Sequence, residues 1–208
     1  MIGDFAGKYL AEYQPEKLAA MEWHFDTEEG ADLTLFGILK NDKEVKYSIE
    51  LPNALSILAH GNPNAEVIGL DQFPKDEVPP LYIHYLFNIM VIIGLGVTLI
   101  GLIYIVGIWL KKQFPYHKGM LWLVVITGPL CIVAIEAGWW LAEVGRQPWV
   151  LRGILRTENA ATTSPYVDEM LILFIGLYLI LGVTSAIVLM KMFKKNPVET
   201  ELADQRRR

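Results

Sequence analysis

Cysteine is nearly missing from this chain. Cys131 is the single one in 208 residues, which excludes an internal disulfide. The four histidines, His24, His60, His84 and His117, show no paired spacing suited to a metal ion. A phosphate-cradling glycine loop and a nucleophile elbow are also lacking, so the usual templates of soluble enzymes do not apply. Internal repeats and low-complexity tracts are absent. The opening stretch MIGDFAGKYLAEY has neither a basic n-region nor an apolar h-region and does not read as a signal peptide. An acidic segment therefore precedes the first apolar run with nothing to export it. The expectation is that Met1 lies inside a longer reading frame, or that another chain supplies earlier helices.

What the chain does have is apolar residues, 53% of the total, gathered in three runs. These are Leu81 to Leu110, Met120 to Ala142 and Met170 to Phe193. Each is long enough to cross a hydrocarbon core of about 30 Å. Pro129 and several glycines interrupt them, which membrane helices tolerate. The expected fold is an all-α membrane protein, three transmembrane helices of a larger bundle preceded by a small mixed loop domain. The expected segments are a loop region 1–80, a membrane region 81–195 with spans near 81–110, 120–143 and 167–193, and a tail 196–208. Lys111, Lys112 and Lys118 follow the first run, and Lys191, Lys194, Lys195 and Arg206 to Arg208 follow the third, so these ends are expected in the cytoplasm. Residues 1–80 carry fifteen Asp or Glu against six Lys, a net −9, and are expected outside. Arg146, Arg152 and Arg156 in the second outer loop run against this rule unless something anionic binds them.

Within the outer segment, Pro15 to His24 reads as a short helix with Leu18, Met21 and Phe25 as its apolar stripe. Leu33 to Leu39 and Val45 to Leu51 flank the polar turn Asn41-Asp42-Lys43 and suggest a hairpin closed by Pro52. Asn53 to His60 suggests another helical turn, and Gly61 to Pro80 an irregular link to the membrane.

Polar residues inside the apolar runs are the candidates for chemistry. Glu136, Trp139, Trp140 and Glu143 fall at i, i+3, i+4 and i+7, one face of a helix that Gly145 can end before Arg146-Gln147-Pro148 turns the chain. A carboxylate in a membrane costs roughly 3 kcal/mol on insertion scales, so it is usually kept for a partner or a task. Met90 offers a soft thioether of the kind that holds low-spin heme iron beside a histidine, although methionine in a packed helix is ordinarily core. Lys17 and Glu22 are five apart, too far round a helix to neutralise each other, and a solvated face is the plain alternative. His84 at the mouth of the first span reads as a satisfied interfacial histidine before a ligand, and His117 as a charge anchor.

Three stretches, QPEKLAAMEWHF at Gln14–Phe25, LFNIMV at Leu86–Val91 and EAGWWLAEVGRQPW at Glu136–Trp149, resemble the C-terminal half of cytochrome bd quinol oxidase subunit I, in order and spacing. The resemblance implies a quinol-binding loop in which Lys17 and Glu22 serve quinol oxidation. It further implies Met90 as an axial ligand of a low-spin heme b and Glu143 as the ligand of a high-spin heme b. Trp139 would lie among the hemes, Glu136 would be a buried acid near them, and Arg146 would pair with heme propionates. A third heme, heme d or another heme b, would complete the set.

The three spans would be the last three of nine. The first six helices, with the histidine that pairs with the methionine and the histidine associated with heme d, are not in this chain. Asn88 stands where some relatives carry arginine, and the loop to Pro80 is of the short kind. The implied partners are the N-terminal half of subunit I, a second membrane subunit, quinol and the bacterial cell membrane, with no nucleic acid. In the implied reaction Glu22, kept ionised by a nearby positive charge, accepts a quinol proton, and electrons pass through hemes to oxygen with protons released outside. The rival expectation is a non-catalytic three-span protein, an assembly or ligand-binding module with empty heme positions.

Overall fold

The computed structural model describes residues 2–40 and 44–195; the expected turn at 41–43 and the tail at 196–208 lie outside the described residues. The chain divides into two units, residues 1–160 and 161–208.

The first unit opens with helix α1 (Ile2–Tyr13), which the sequence reading did not anticipate, followed by α2 (Pro15–Glu22). Strand β1 (Glu28–Glu29) leads to the hairpin of β2 (Leu33–Lys40) and β3 (Glu44–Leu51). The hairpin is antiparallel, pairs Leu33 with Leu51 and Lys40 with Glu44, and carries irregularities on either side of Phe36. Helix α3 (Ala54–His60) comes next, then β4 (Glu66–Val67), which pairs antiparallel with β1. The stretch expected to be an irregular link is therefore in part a strand and a 3-10 turn (Leu70–Gln72) fastened to the domain. Ser56 ties these pieces together: its hydroxyl accepts from the Ala31 N–H at 2.8 Å and donates to the Ala65 carbonyl at 2.7 Å. Such a buried hydroxyl satisfies two backbone groups that short strands leave unpaired.

Helices α4 (Ile83–Trp109) and α5 (Lys118–Val144) follow, each of 27 residues and about 40 Å long at 1.5 Å per residue, enough to span a membrane. Pro129 sits inside α5 without ending it. At the tight loop between them Gly107 lets Phe114 and Pro115 approach, since a Cβ there would lie 2.5 Å from the Pro115 ring. His117 accepts from the Gly119 N–H at 3.3 Å and so caps α5. Short strands β5 (Trp149–Leu151) and β6 (Leu155–Arg156) close the unit. Its core joins loop and membrane segments: Leu18, Met21, Ala31, Leu55, Val67, Ile83 and Leu141 form one buried cluster. The loop domain thus rests on the ends of α4 and α5.

The second unit contains α6 (Val167–Lys195), 29 residues, with Asp168 and Glu169 in its first turn and Lys194 and Lys195 in its last. Both ends carry charge that complements the helix dipole. All three long helices are apolar enough to span, and the chain is a multi-pass membrane protein.

Candidate functional site

Helix α2 is short yet buried almost throughout. Pro15 sits in its first turn, and Leu18, Ala19, Ala20, Met21 and Glu22 are at most 7% exposed. Trp23 ends it in the left-handed region (φ 54°), and the His24 N–H donates to the Ala19 carbonyl at 2.9 Å. Left-handed backbone is uncommon for a bulky residue and persists only where the surroundings over-determine it. Here they do. The Trp23 indole N–H donates to the Leu81 carbonyl at 2.8 Å, its ring stacks on His84 at 3.9 Å, and Tyr85 meets it edge-on at 4.9 Å. Phe25, expected on the helical stripe, lies beyond the helix and is half-buried.

Glu22 has an Oε1 with no hydrogen-bond partner, and burial pushes its carboxyl up to about 8. The expectation that a nearby cation keeps it ionised is corrected. Loss of water disfavours the charged form, and among the described residues no cation offsets that loss. Lys17 turns elsewhere, toward the end of α5: a Cβ on Gly145 would lie 2.9 Å from its Cε and 3.5 Å from its Nζ. Burial, and secondly the charge of Arg146, lower the pKa of this ammonium. Gly145 ends α5 as expected but by a different cause. Its φ is −68°, and what requires glycine is space, since a Cβ would meet the Leu141 carbonyl oxygen at 2.6 Å as well as Lys17.

Lys17 and Arg146 line a cavity of about 390 Å³ with Gln14, Gln147, Trp149 and Arg152. The acid on its wall, Glu16, is buried and paired with Arg152 at 2.6 Å, and Arg152 also donates to the Tyr13 carbonyl. The Gln147 side-chain Oε1 accepts from the Thr157 hydroxyl at 2.7 Å, leaving Nε2 to serve as a donor. The cavity is therefore rich in donors and cations and suits a carboxylate. Arg156 pairs with Asp76 at 2.7 Å and lies 5.0 Å over the Trp149 ring. Two of the three anomalous arginines thus find their anions in residues 1–80, which puts that segment and the 144–160 loop on one side.

A second cavity, about 970 Å³, is lined by Phe25, Phe73, Lys75, Pro80, Tyr82 and Tyr85 among others. Tyr85 forms part of its wall and also touches Trp23, the residue after Glu22. Its wall combines these aromatic and apolar side chains with Asp26, Asp71 and Lys75, and a concave site of mixed lining can take a small molecule.

The first turn of α4 makes the firmest joint. His84 is fully buried; its Nδ1–H donates to the Met21 carbonyl at 2.7 Å, and its Nε2 accepts from the Asn88 amide at 2.8 Å. With both nitrogens occupied, His84 is the satisfied histidine expected and is not free to ligate. On α5, Ala137, Gly138 and Leu141 face α4, and the Met90 sulfur fits the notch at Gly138, where a Cβ would lie 2.9 Å from it. Glu136, Trp139, Trp140 and Glu143 are all exposed along α5, and Arg146 is exposed past its end. Met90 thus lies in the α4–α5 seam and the two acids away from it. Among the described residues no three His, Cys, Asp or Glu gather as a metal site. Glu16 and Trp23 were missed in the sequence; the anomalous arginine Arg152, which needed an anion, was the one signal that pointed toward Glu16.

Comparison with known proteins gives a consistent picture. The family model for cytochrome bd terminal oxidase subunit I matches residues 1–197. Two relatives in Bacillus subtilis, "Putative cytochrome bd menaquinol oxidase subunit I" and "Cytochrome bd ubiquinol oxidase subunit 1", are 41% and 29% identical and are matched over 96% and 94% of this chain. The chain spans 45% of the length of each. The structure of bd oxidase from Geobacillus thermodenitrificans superposes with a TM-score of 0.81 at 55% identity, covering 94% of this chain and 45% of that one.

Proposed function

As the chain belongs to the cytochrome bd terminal oxidase subunit I family, a family of membrane oxidoreductases in respiratory electron transport, we propose that it supplies the quinol-oxidising loop and three membrane helices of a quinol:oxygen oxidoreductase. The observation that carries this reading is Glu22, a buried carboxyl without a partner on Oε1, whose neighbour Trp23 packs edge-on against Tyr85 in the wall of the aromatic cavity. A general base works best with a pKa near the operating pH. The value near 8 makes Glu22 a far stronger base than an exposed glutamate, and its deprotonated fraction accepts the proton that quinol releases. Quinol docks in the hollow walled by Phe25, Phe73, Tyr82 and Tyr85.

Heme would supply the one-electron transfer that no side chain here provides. The residues fit it in two respects. The donor-rich cavity of Lys17, Arg146 and Gln147 suits propionates, and Glu143 presents a carboxylate on an apolar helix where lipid cannot solvate it. Met90 would ligate the low-spin heme b and Glu143 the high-spin heme b, with Trp139 and Glu136 beside them and the third heme, b or d, held by groups of the missing half. Residues 1–80 face outward and the lysine-rich ends lie in the cytoplasm, so quinol protons leave to the outside and charge is separated without a pump. The remaining helices of subunit I and a second membrane subunit complete the complex.

The test is Glu22→Gln in the complete oxidase. Glutamine keeps the shape and removes the base, so quinol oxidation falls by about a hundredfold or more while dithionite still reduces the hemes. Retained quinol turnover would remove Glu22 from the reaction.

A further inference from the structure

We propose that His84 is a positioning residue for quinol oxidation, holding the two residues that flank Glu22 against the helix that carries Met90. The inference rests on the reading of Glu22 given above. His84 Nδ1–H binds the carbonyl of Met21, the residue before Glu22, at 2.7 Å, and its ring stacks on Trp23, the residue after Glu22, at 3.9 Å. Trp23 is held a second time through its indole N–H to the Leu81 carbonyl at 2.8 Å, one turn ahead of His84. Asn88 completes the joint by donating to Nε2 at 2.8 Å, which fixes the tautomer with its proton on Nδ1. Neutral imidazole has one donor and one acceptor, and here each has a single partner.

This joint decides where the Glu22 carboxyl lies. Helix α2 ends at Glu22, and the chain reverses at once through left-handed Trp23, a conformation that a tryptophan does not keep unaided. Without the His84 ring and its N–H, the Met21 carbonyl loses its buried partner and the indole loses its platform. The turn then relaxes, and Glu22 moves with it. Proton transfer needs the base within hydrogen-bond reach of the quinol hydroxyl, and a shift of about 1 Å can cost a hundredfold. His84 touches neither quinol nor iron in this scheme. Its effect is on quinol alone.

The experiment uses the complete oxidase with His84→Phe, His84→Asn and Asn88→Ala. Phenylalanine keeps a stacking ring without the donor; asparagine puts its amide nitrogen near the place of Nδ1. We expect His84→Phe to lower kcat/KM for quinol by about tenfold to a hundredfold. Heme content and oxygen uptake driven by a small artificial reductant that bypasses quinol should stay at wild-type levels. His84→Asn should recover most of the loss, and Asn88→Ala should cost about three- to tenfold by loosening the ring. Equal loss of quinol-driven and bypass activity, or loss of heme, would mean a general structural role and overturn the proposal. So would wild-type quinol kinetics in His84→Phe, or an asparagine variant as impaired as phenylalanine. If His84→Phe does not assemble, Asn88→Ala decides: a selective quinol defect supports the proposal, and unchanged quinol kinetics overturns it. Glu22→Gln separates the two levels. When it abolishes quinol oxidation and the His84 variants do not touch it, only the positioning role falls; when it has no effect, the reading of Glu22 falls first.

Discussion

Helices α2 and α5 carry the acids that matter, and they treat them in opposite ways. Helix α2 has eight residues, too few to be stable alone, and is wrapped by its own chain so fully that Glu22 is 2% exposed. Helix α5 has 27 residues and needs no wrapping to be a helix, and its acids Glu136 and Glu143 stand exposed. The difference teaches that burial, rather than residue type, sets the chemistry: a glutamate wrapped by its own chain becomes a weak acid and strong base, whereas those on α5 are left for partners from outside this chain.

The largest expected effect breaks the comparison at α5. If Glu143 holds iron, Glu143→Gln loses the high-spin b heme from the assembled oxidase while the low-spin heme stays, as reduced-minus-oxidised spectra would record. Unchanged heme content would make Glu143 a plain interfacial residue. Met90→Leu should remove the low-spin signal instead, because an apolar swap of similar volume is otherwise tolerated.

The next effect sharpens the comparison at α2. The carboxyl of Glu22 is raised from 4.5 to about 8 by burial, so the native state binds a proton that the unfolded chain releases in that window. Stability is therefore highest at the acid end and declines by up to about 1.4 kcal/mol per pH unit as pH rises toward 8. Quinol oxidation moves the other way. It should rise up to about tenfold per pH unit below 8 as the base form appears, and level off above it. A melting profile of Glu22→Gln that keeps the wild-type slope would refute the assignment to this residue.

Smaller effects test the joints. Arg152→Met leaves buried Glu16 without its cation and should cost about 1 kcal/mol, discounted because Arg152 is half exposed, with a lower Tm of the purified complex. Gly138→Ala puts a methyl against the Met90 sulfur at 2.9 Å. A thioether can yield, so the complex should assemble, with a modest shift in the low-spin heme potential if Met90 is a ligand and none if it only packs.

Much of this was legible in the sequence. Sustained apolar length sets three membrane helices, alternation on either side of polar residues sets the β2–β3 hairpin, and proline followed by good helix formers sets α2. These are local patterns, and hydropathy and steric preference act over a few residues. The tertiary structure alone decided that Glu22 is buried with its carboxyl pushed up, that Lys17 turns to Gly145 and Arg146 instead of Glu22, and that Arg152 and Arg156 pair with Glu16 and Asp76. It also decided that Trp23 and His84 bind the loop to the membrane. Those contacts join residues 58, 63, 80 and 136 positions apart, as in Trp23–Leu81, His84–Met21, Arg156–Asp76 and Arg152–Glu16. Periodicity carries no record of such pairs, because burial and Coulomb energy depend on distance in space, which only the folded chain defines.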